Sequence, residues 1–209
     1  MKHPKIPEIT VMRLSSYSRT LEHFLEAGEK VVSSTVIARE TGVTPAQVRK
    51  DLAYFGEFGV RGLGYNVEEL YEAIAGITGT NRSWKVVIVG LGHLGGALVS
   101  YPGFLSRGFE VVAIYDIRDI GKAYGSLKIR HISQLIEDAS NQVFDLGIIV
   151  VPRDAAQGVA DLLVEGGIRA ILNFAPANLK VPEGVEIKHV DLSMFLETLS
   201  YHMTRRPES

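Results

Sequence analysis

Residues 85–95 read K-V-V-I-V-G-L-G-H-L-G. A β-branched run, Val86 to Val89, empties directly into Gly90, Gly92 and Gly95, the glycine spacing of a dinucleotide-binding turn. Each glycine has a separate task in such a turn. Gly90 makes the tight exit from the strand, Gly92 lets backbone approach a pyrophosphate, and Gly95 lets the next helix sit against the strand. Peptide N–H groups from Leu91 through His93 and Leu94 would then face the phosphates. The string G-x-G-x-x-G is common by itself. Here a predicted strand precedes it and an apolar, helix-like run, Leu94 to Val99, follows.

Downstream, strand and helix patterns alternate, which predicts an α/β doubly wound parallel sheet, the Rossmann arrangement. A second strand, Phe109 to Tyr115, ends at Asp116, twenty-one residues past Gly95. A carboxylate there is placed to hydrogen-bond the adenosine ribose and to repel a 2'-phosphate, so NAD(H) is expected over NADP(H). Arg118 would soften that preference. The run Leu146 to Val151 predicts a buried strand, followed by Pro152 and a helix capped by Asp154 with Gln157 in the box position. Ile171 and Leu172 end another strand at Asn173-Phe174-Ala175-Pro176. Val151, Pro152 and residues 173–176 leave the carboxyl ends of strands and are expected to wall the nicotinamide pocket. A closing helix is predicted from Asp191 as N-cap, with Val190 and Phe195 as a hydrophobic staple. Its stripe of Leu192, Phe195, Leu196, Leu199 and Met203 is too apolar to stay in water. It either covers its own sheet or reaches across a dimer.

Upstream, Leu14, Tyr17, Leu21, Phe24 and Leu25 share one helical face that stops at Gly28. Ser33 and Ser34 are cap candidates for a short helix from Thr35 to Glu40, which runs out at Gly42. Thr44-Pro45-Ala46-Gln47 then supplies an N-cap, a proline at the first helical position and a box glutamine for a third helix ending near Gly56. Two short helices about a glycine turn form a helix-turn-helix, whose second helix enters a DNA major groove. On that helix Val48, Leu52 and Phe55 face inward. Ala46, Gln47, Lys50 and Tyr54 project outward with Arg49 at the flank, a surface of small residues, donors and cations suited to bases and phosphates. Gly56 to Tyr65 holds four glycines around Arg61 before Tyr65, a pattern for a wing with its arginine free for a phosphate or a minor groove. Asn66 and Glu69 then open a helix with Val67, Leu70, Tyr71, Ile74 and Ile77 inward, completing a winged-helix domain.

The predicted domains are 1–80, the winged helix; 81–190, the dinucleotide fold; and 191–209, a C-terminal dimerisation helix. Residues 1–80 carry nine Lys/Arg against ten Asp/Glu. Duplex binding depends on neutralising phosphates, so the cations must converge on one face. Two symmetric copies would double that patch. With no cysteine in 209 residues, thiolate metal sites and thiol switches are excluded, and any redox sensing must come through a cofactor. No signal pattern and no apolar run of roughly 18 residues is present, which predicts a cytoplasmic protein without a membrane partner.

A catalytic proton-transfer group is not found. Tyr124 and Lys128 have the Tyr-x-x-x-Lys spacing of short-chain dehydrogenases, but Gly125 interrupts the helix that spacing requires. His93 lies within the fingerprint, and His131 and His189 have no acid partner in sequence. A cofactor site without catalytic equipment, joined to a DNA reader, describes a sensor. A small NAD-dependent oxidoreductase with an appended binding module, and a nucleotide-sensing protein adaptor, are the alternatives.

With both halves in place the sequence closely resembles the Rex family of bacterial redox-sensing transcriptional repressors. The matching stretches are QVRKDLAYFGEFGVRGLGY (47–65), VGLGHLG (89–95), YPGF (101–104), VPR (151–153) and NFAP (173–176). They lie within a resemblance running from about residue 10 to 203. The resemblance implies a homodimer, joined through the C-terminal helix and the Rossmann domain, that binds palindromic operator DNA when NADH is low. NADH releases it, and NAD+ competes for the same site. It further implies DNA contacts from Ser33, Ser34, Gln47, Arg49, Lys50, Tyr54 and Arg61. Asp116 would hold the ribose, and Tyr101 would lie near the nicotinamide. Arg19 and Asp191 would form a switch pair, and the terminal helix, with Leu192 and Phe195, would be swapped onto the partner. Some relatives place an aromatic residue after that aspartate, where this chain has Leu192.

Overall fold

A computed structural model describes residues 6–60, 62–141 and 143–205. The chain forms two compact units, Met1–Arg82 and Ser83–Ser209.

The first unit holds helices α1 (Glu8–Glu26), α2 (Ser34–Thr41), α3 (Pro45–Ala53) and α4 (Val67–Thr78), with a two-stranded antiparallel ribbon of β1 (Val31–Val32) and β2 (Tyr65–Asn66). Leu14, Tyr17 and Leu21 of α1, Ile37 of α2, Val48 and Leu52 of α3, and Val67, Leu70 and Ile74 of α4 make one core. Ser33 Oγ caps α2 by accepting Val36 N–H, and Gly42 ends it in the left-handed region at φ 70°. Asn66 caps α4 through Glu69 N–H. Of the predicted capping box on α3 only half forms. Thr44 Oγ1 accepts Gln47 N–H at 3.1 Å, but the Gln47 side chain turns inward and donates to Asp51 at 2.7 Å. The helix is also shorter than expected, ending at Ala53.

Asp51 accounts for that inward turn. It sits on the core side of α3 with no exposure, and its carboxylate also accepts Arg13 Nε and Nη2 (2.5 and 2.7 Å), Tyr17 Oη (2.8 Å) and Thr10 Oγ1 (3.2 Å), all from α1. Burial pushes the Asp51 carboxyl up, but the bonds from Arg13, Tyr17 and Gln47 outweigh it and hold the pKa below the ordinary value.

The second unit is a seven-stranded sheet in the order β5-β6-β4-β3-β7-β8-β9. The strands are β3 (Trp84–Val89), β4 (Phe109–Asp116), β5 (Ala123–Tyr124), β6 (Leu127–His131), β7 (Leu146–Ile149), β8 (Ala170–Asn173) and β9 (Glu186–His189). Six pair in parallel, and β5 joins antiparallel through a hairpin. Taken in chain order the parallel strands run 3-2-1-4-5-6, so the topology reverses between β3 and β7. Strand β3 is buried on both faces, which explains its unbroken apolar run. Val87 and Val89 face a core with Tyr115, Ile149, Ala160 and Leu163. Val86 and Ile88 face a smaller one with Ile148, packed by Leu98, Phe104 and Phe174. Helices α7 (Leu135–Asn141) and α8 (Arg153–Glu165) contribute to the first face; α5 (His93–Val99) and α6 (Pro102–Leu105) contribute to the second.

Two local expectations are corrected. The cap of α8 is Pro152, with Asp154 inside the first turn and no side-chain cap bond. Gln157, instead of closing a box, exchanges two hydrogen bonds of 2.9 Å with the Lys180 backbone and so ties down the chain beyond β8. The closing helix α9 (Leu192–Thr204) does have Asp191 as N-cap, accepting Ser193 N–H at 2.9 Å. However, α9 buries no residue, and Phe195, the expected staple partner of Val190, is 68% exposed. It does not cover its own sheet. Among the described residues no helix is long and apolar enough to cross a membrane.

Two fully buried phenols that donate to carboxylates are expected to set an alkaline limit on the fold. Tyr17 and Tyr115 are pushed above the ordinary value, first by burial and then by donating to Asp51 and to Asp138. A phenol whose pKa is raised on folding contributes stability below its unfolded value of about 10 and loses it as pH climbs. Asp51 has the opposite sign. Its depressed pKa contributes stability above about 3.9, lost as the solution turns acid. Thermal melts should therefore weaken above about pH 10, and Tyr17→Phe and Tyr115→Phe should each flatten that alkaline limb. An alkaline limb unchanged in both variants would contradict the assignment.

Candidate functional site

The crevice at the β3/β7 reversal is where open α/β sheets bind ligands. The sequence puts the three glycines there for reasons the backbone makes explicit. Gly90 has φ +101°, and a Cβ on it would lie 2.3 Å from the Val150 carbonyl oxygen. A Cβ at Gly95 would lie 2.0 Å from the Gly90 carbonyl oxygen, so α5 can approach the turn only without a side chain. At Gly92 a Cβ would meet nothing within 4 Å, leaving open space beside the backbone.

A cavity of about 540 Å³ opens beside this turn, in the size range of small-molecule sites. Gly90, Gly92, His93, Leu94, Asp116, Val151 and Pro152 line it, seven of the residues expected from sequence. Ile117, Arg118, Ile132, Ala155 and Val159 line it as well. A second cavity of about 560 Å³ is formed by Leu91, Gly96, Tyr124 and Ile129 and shares Gly92, His93, Asp116 and Arg118 with the first. Asp116 fastens the turn to the end of β4. It accepts Leu91 N–H at 2.6 Å, Ile117 N–H at 2.7 Å and Arg118 N–H at 2.9 Å. Burial raises its pKa, but these N–H groups and the Arg118 charge prevail and keep it below the usual carboxylate range. A carboxylate offers about four acceptor positions, so the three in use leave room for a ribose hydroxyl. The open face at Gly92, the ionised Asp116 and the apolar walls fit an adenine dinucleotide.

Residues 173–176 are not gathered there. The Asn173 side chain is fully buried and engaged by its own surroundings, donating to Ala175 O and Ala177 O, accepting Ala175 N–H, and lying 3.0 Å from His189 Nδ1. Those bonds shape the turn that follows β8. Phe174 packs beneath the sheet, Ala175 is buried in the opposite core, and Pro176 is exposed. Tyr101 is 55% exposed at the N-cap of α6, its ring edge-on to Phe104 at 5.2 Å. Sequence reading missed Ile117 and Ile132, ordinary aliphatics whose only signal is their place just beyond strand ends, and Ala155 and Val159, which lie on α8.

In the first unit the exposed residues of α3 are Ala46, Arg49, Lys50 and Ala53, one stripe at helical spacing. Arg49 therefore belongs to the outward face and not its flank, because Asp51 joins Val48 and Leu52 on the inward one. Tyr54 is half-buried at the helix end, and Gln47 is half-buried against Asp51. Arg49 Nη1 donates to Ser34 Oγ at 2.8 Å, tying α3 to the start of α2. An open groove of about 630 Å³ runs from Ser33, Ser34 and Arg49 to Val60, Leu63 and Tyr65. The wing is a tight turn in which Val60 and Gly64 exchange N–H···O bonds of 2.9 and 3.0 Å. Arg61, assigned to this wing, lies outside the described residues. Arg19 is exposed on α1 and Asp191 is exposed at the start of α9. Among the described residues no cluster of three His, Cys, Asp or Glu could hold a metal.

A helix-turn-helix unit and a dinucleotide-type parallel sheet in one chain define a ligand-responsive DNA-binding regulator. Comparison with known proteins is consistent with that class in both halves. The family described as putative DNA-binding protein N-terminus matches residues 5–53, and the CoA binding domain family matches residues 81–177. The redox-sensing transcriptional repressor Rex of Syntrophomonas wolfei is 50% identical over 205 residues, 97% of this chain and 98% of that protein. Rex of Carboxydothermus hydrogenoformans is 49% identical over 98% of this chain and 100% of that protein. The crystal structure of RSP, a Rex-family repressor, matches with a TM-score of 0.88 at 37% identity, covering 96% of this chain and 95% of that one. RSP in complex with β-NAD+ and operator DNA matches at 0.90 with 39% identity, covering 96% and 94%. The chain belongs to the Rex family of redox-sensing transcriptional repressors. Its relatives are named as regulators, which sets aside the oxidoreductase reading.

Proposed function

We propose that this chain acts in the cytoplasm as a homodimer that holds operator DNA when NADH is scarce and releases it when NADH fills the Asp116 cavity. The observation that carries this reading is the pairing, in one chain, of that cavity with the exposed Ala46-Arg49-Lys50-Ala53 stripe of α3. RSP, in the same family, has been crystallised with NAD+ and operator DNA and with NADH, which supports both ligands. The domains are residues 1–80 for DNA, 81–190 for the nucleotide and 191–209 for dimerisation.

The roles follow from chemistry. Asp116 takes the ribose, Gly92 admits the pyrophosphate, and Val151 and Pro152 border the dinucleotide. The bound nucleotide supplies a signal, a nicotinamide whose oxidised and reduced forms differ by a formal charge and in ring shape. Tyr101 and the ionised Asp191, brought from the second protomer on α9, distinguish them, with Arg19 as the partner that Asp191 exchanges. A ligand shifts a conformational equilibrium only by its differential affinity for the two states. Moving a dimer from 1:99 to 99:1 requires about 10⁴-fold preference. On the DNA side Arg49 and Lys50 reach bases and phosphates from α3, with Ser33, Ser34 and Tyr54 flanking and Arg61 on the wing.

Lys50→Ala should weaken operator binding at least tenfold and leave NADH affinity unchanged, as measured by fluorescence anisotropy and by nucleotide titration. Equal losses in both would show damage to the fold. No loss of operator affinity would remove α3 from the interface.

A further inference from the structure

The unit that presents α3 contains a feature that stability alone does not require. A fully buried carboxylate, Asp51, occupies a position on the inward face between Val48 and Leu52, where an aliphatic residue would pack. It collects five hydrogen bonds, from Thr10, Arg13 (two), Tyr17 and Gln47. Thr10, Arg13 and Tyr17 stand at i, i+3 and i+7, so a whole polar stripe of α1 is addressed to one residue of α3. Among the described residues no buried side-chain N or O lacks a partner, so the cluster is complete. Replacing a satisfied buried ion pair by apolar residues is often neutral or stabilising, so stability does not account for it.

Direction does. Apolar contacts are non-directional, whereas five donors converging on two oxygens are held to defined distances and angles and so add an orientation that packing alone does not specify. A roll of about 20° would carry side chains at a radius of 5–6 Å through about 2 Å, enough to break a bidentate base contact. Arg49 and Lys50, the exposed cations, immediately precede Asp51 on the chain, so their direction is set by its position. We propose that Asp51, clamped by Arg13 and Tyr17, is a positioning residue that fixes the roll of α3 and thereby its sequence discrimination. The inference rests on α3 being the DNA-reading helix.

The test uses the full-length protein, the duplex that the wild type selects from a random library, and a scrambled duplex of equal composition. In Arg13→Met/Asp51→Leu one charge of each sign is lost, so net charge and non-specific attraction to phosphate are preserved. The expected result is at least a tenfold fall in the ratio of selected to scrambled affinity. Scrambled-duplex affinity and NADH affinity should stay near wild type, while the melting temperature should fall, because the buried Tyr17 and Thr10 hydroxyls lose their acceptor. A folded double variant whose ratio stays within twofold, or in which both DNA affinities fall together, overturns the proposal. Should the double variant not fold, Tyr17→Phe decides, since it removes one donor and no charge. A threefold fall in the ratio supports the proposal and an unchanged ratio overturns it. A wild type that selects no duplex overturns the DNA reading and this inference with it; a selective wild type beside an equally selective variant overturns this inference alone.

Discussion

Gly95→Ala is expected to lower NADH affinity at least a hundredfold and to depress the melting temperature of the second unit, whereas Gly92→Ala should lower affinity alone. The difference comes from what each new methyl would touch. At Gly95 it would sit 2.0 Å from the Gly90 carbonyl oxygen and 3.0 Å from its carbon, both backbone atoms that no side-chain rotation can clear. Either α5 lifts from the sheet or the turn after β3 is remade. Overpacking of this kind costs about 1–3 kcal/mol and sometimes more, and here the strain falls on the turn that Asp116 fastens through Leu91. At Gly92 the methyl would enter space with nothing within 4 Å, so the free protein tolerates it. The same space is where a pyrophosphate would approach. Calorimetric titration with NADH and a melting curve separate the two effects. A Gly95→Ala protein with unchanged melting would contradict the packing account, and a Gly92→Ala protein with unchanged affinity would contradict the placement of the pyrophosphate.

The second large effect is expected from Leu196→Glu/Leu199→Glu in α9. Leu192, Phe195, Leu196, Leu199 and Met203 are 60, 68, 67, 60 and 74% exposed, all on one helix that buries nothing. Such side chains contribute about 1.5–3 kcal/mol each when fully buried, and a second copy of the chain would supply the covering surface. Two glutamates in that stripe should yield a monomer in sedimentation velocity. Operator affinity should fall by about 10² or more, because two linked reading heads gain that order from effective concentration. A variant that still sediments as the wild type does would show that α9 is not the dimer contact.

How much of this was legible depends on whether the constraint acts locally. Gly90, Gly92 and Gly95 could be read because their tasks concern backbone geometry within a few residues, and Asp116 because it ends the next strand. Thr44, Asn66 and Asp191 could be read as caps because a cap bonds its own first turn. Asp51 could not, since a carboxylate next to Lys50 reads as solvated, and its principal partners Arg13 and Tyr17 lie 38 and 34 residues away. That omission also misplaced Gln47, whose amide is drawn inward, and put Arg49 at the edge of a face it occupies. The bonds of Asn173 were hidden from sequence for a related reason. Its position past a strand end suits a ligand contact, but its amide bonds His189 on the neighbouring strand and the backbone of its own turn. The apolar stripe of α9 was plain in sequence, while its destination is not encoded in the periodicity of one helix.

The central claim is that NADH bound at the Asp116 cavity governs the grip of α3 on DNA. The direct measurement is fluorescence anisotropy of the wild-type protein on its selected duplex, titrated with NADH and, separately, with NAD+. Release by NADH at concentrations far below any effect of NAD+, abolished in Gly92→Ala, is the predicted result. A protein–DNA complex indifferent to NADH at concentrations that saturate the cavity would contradict it.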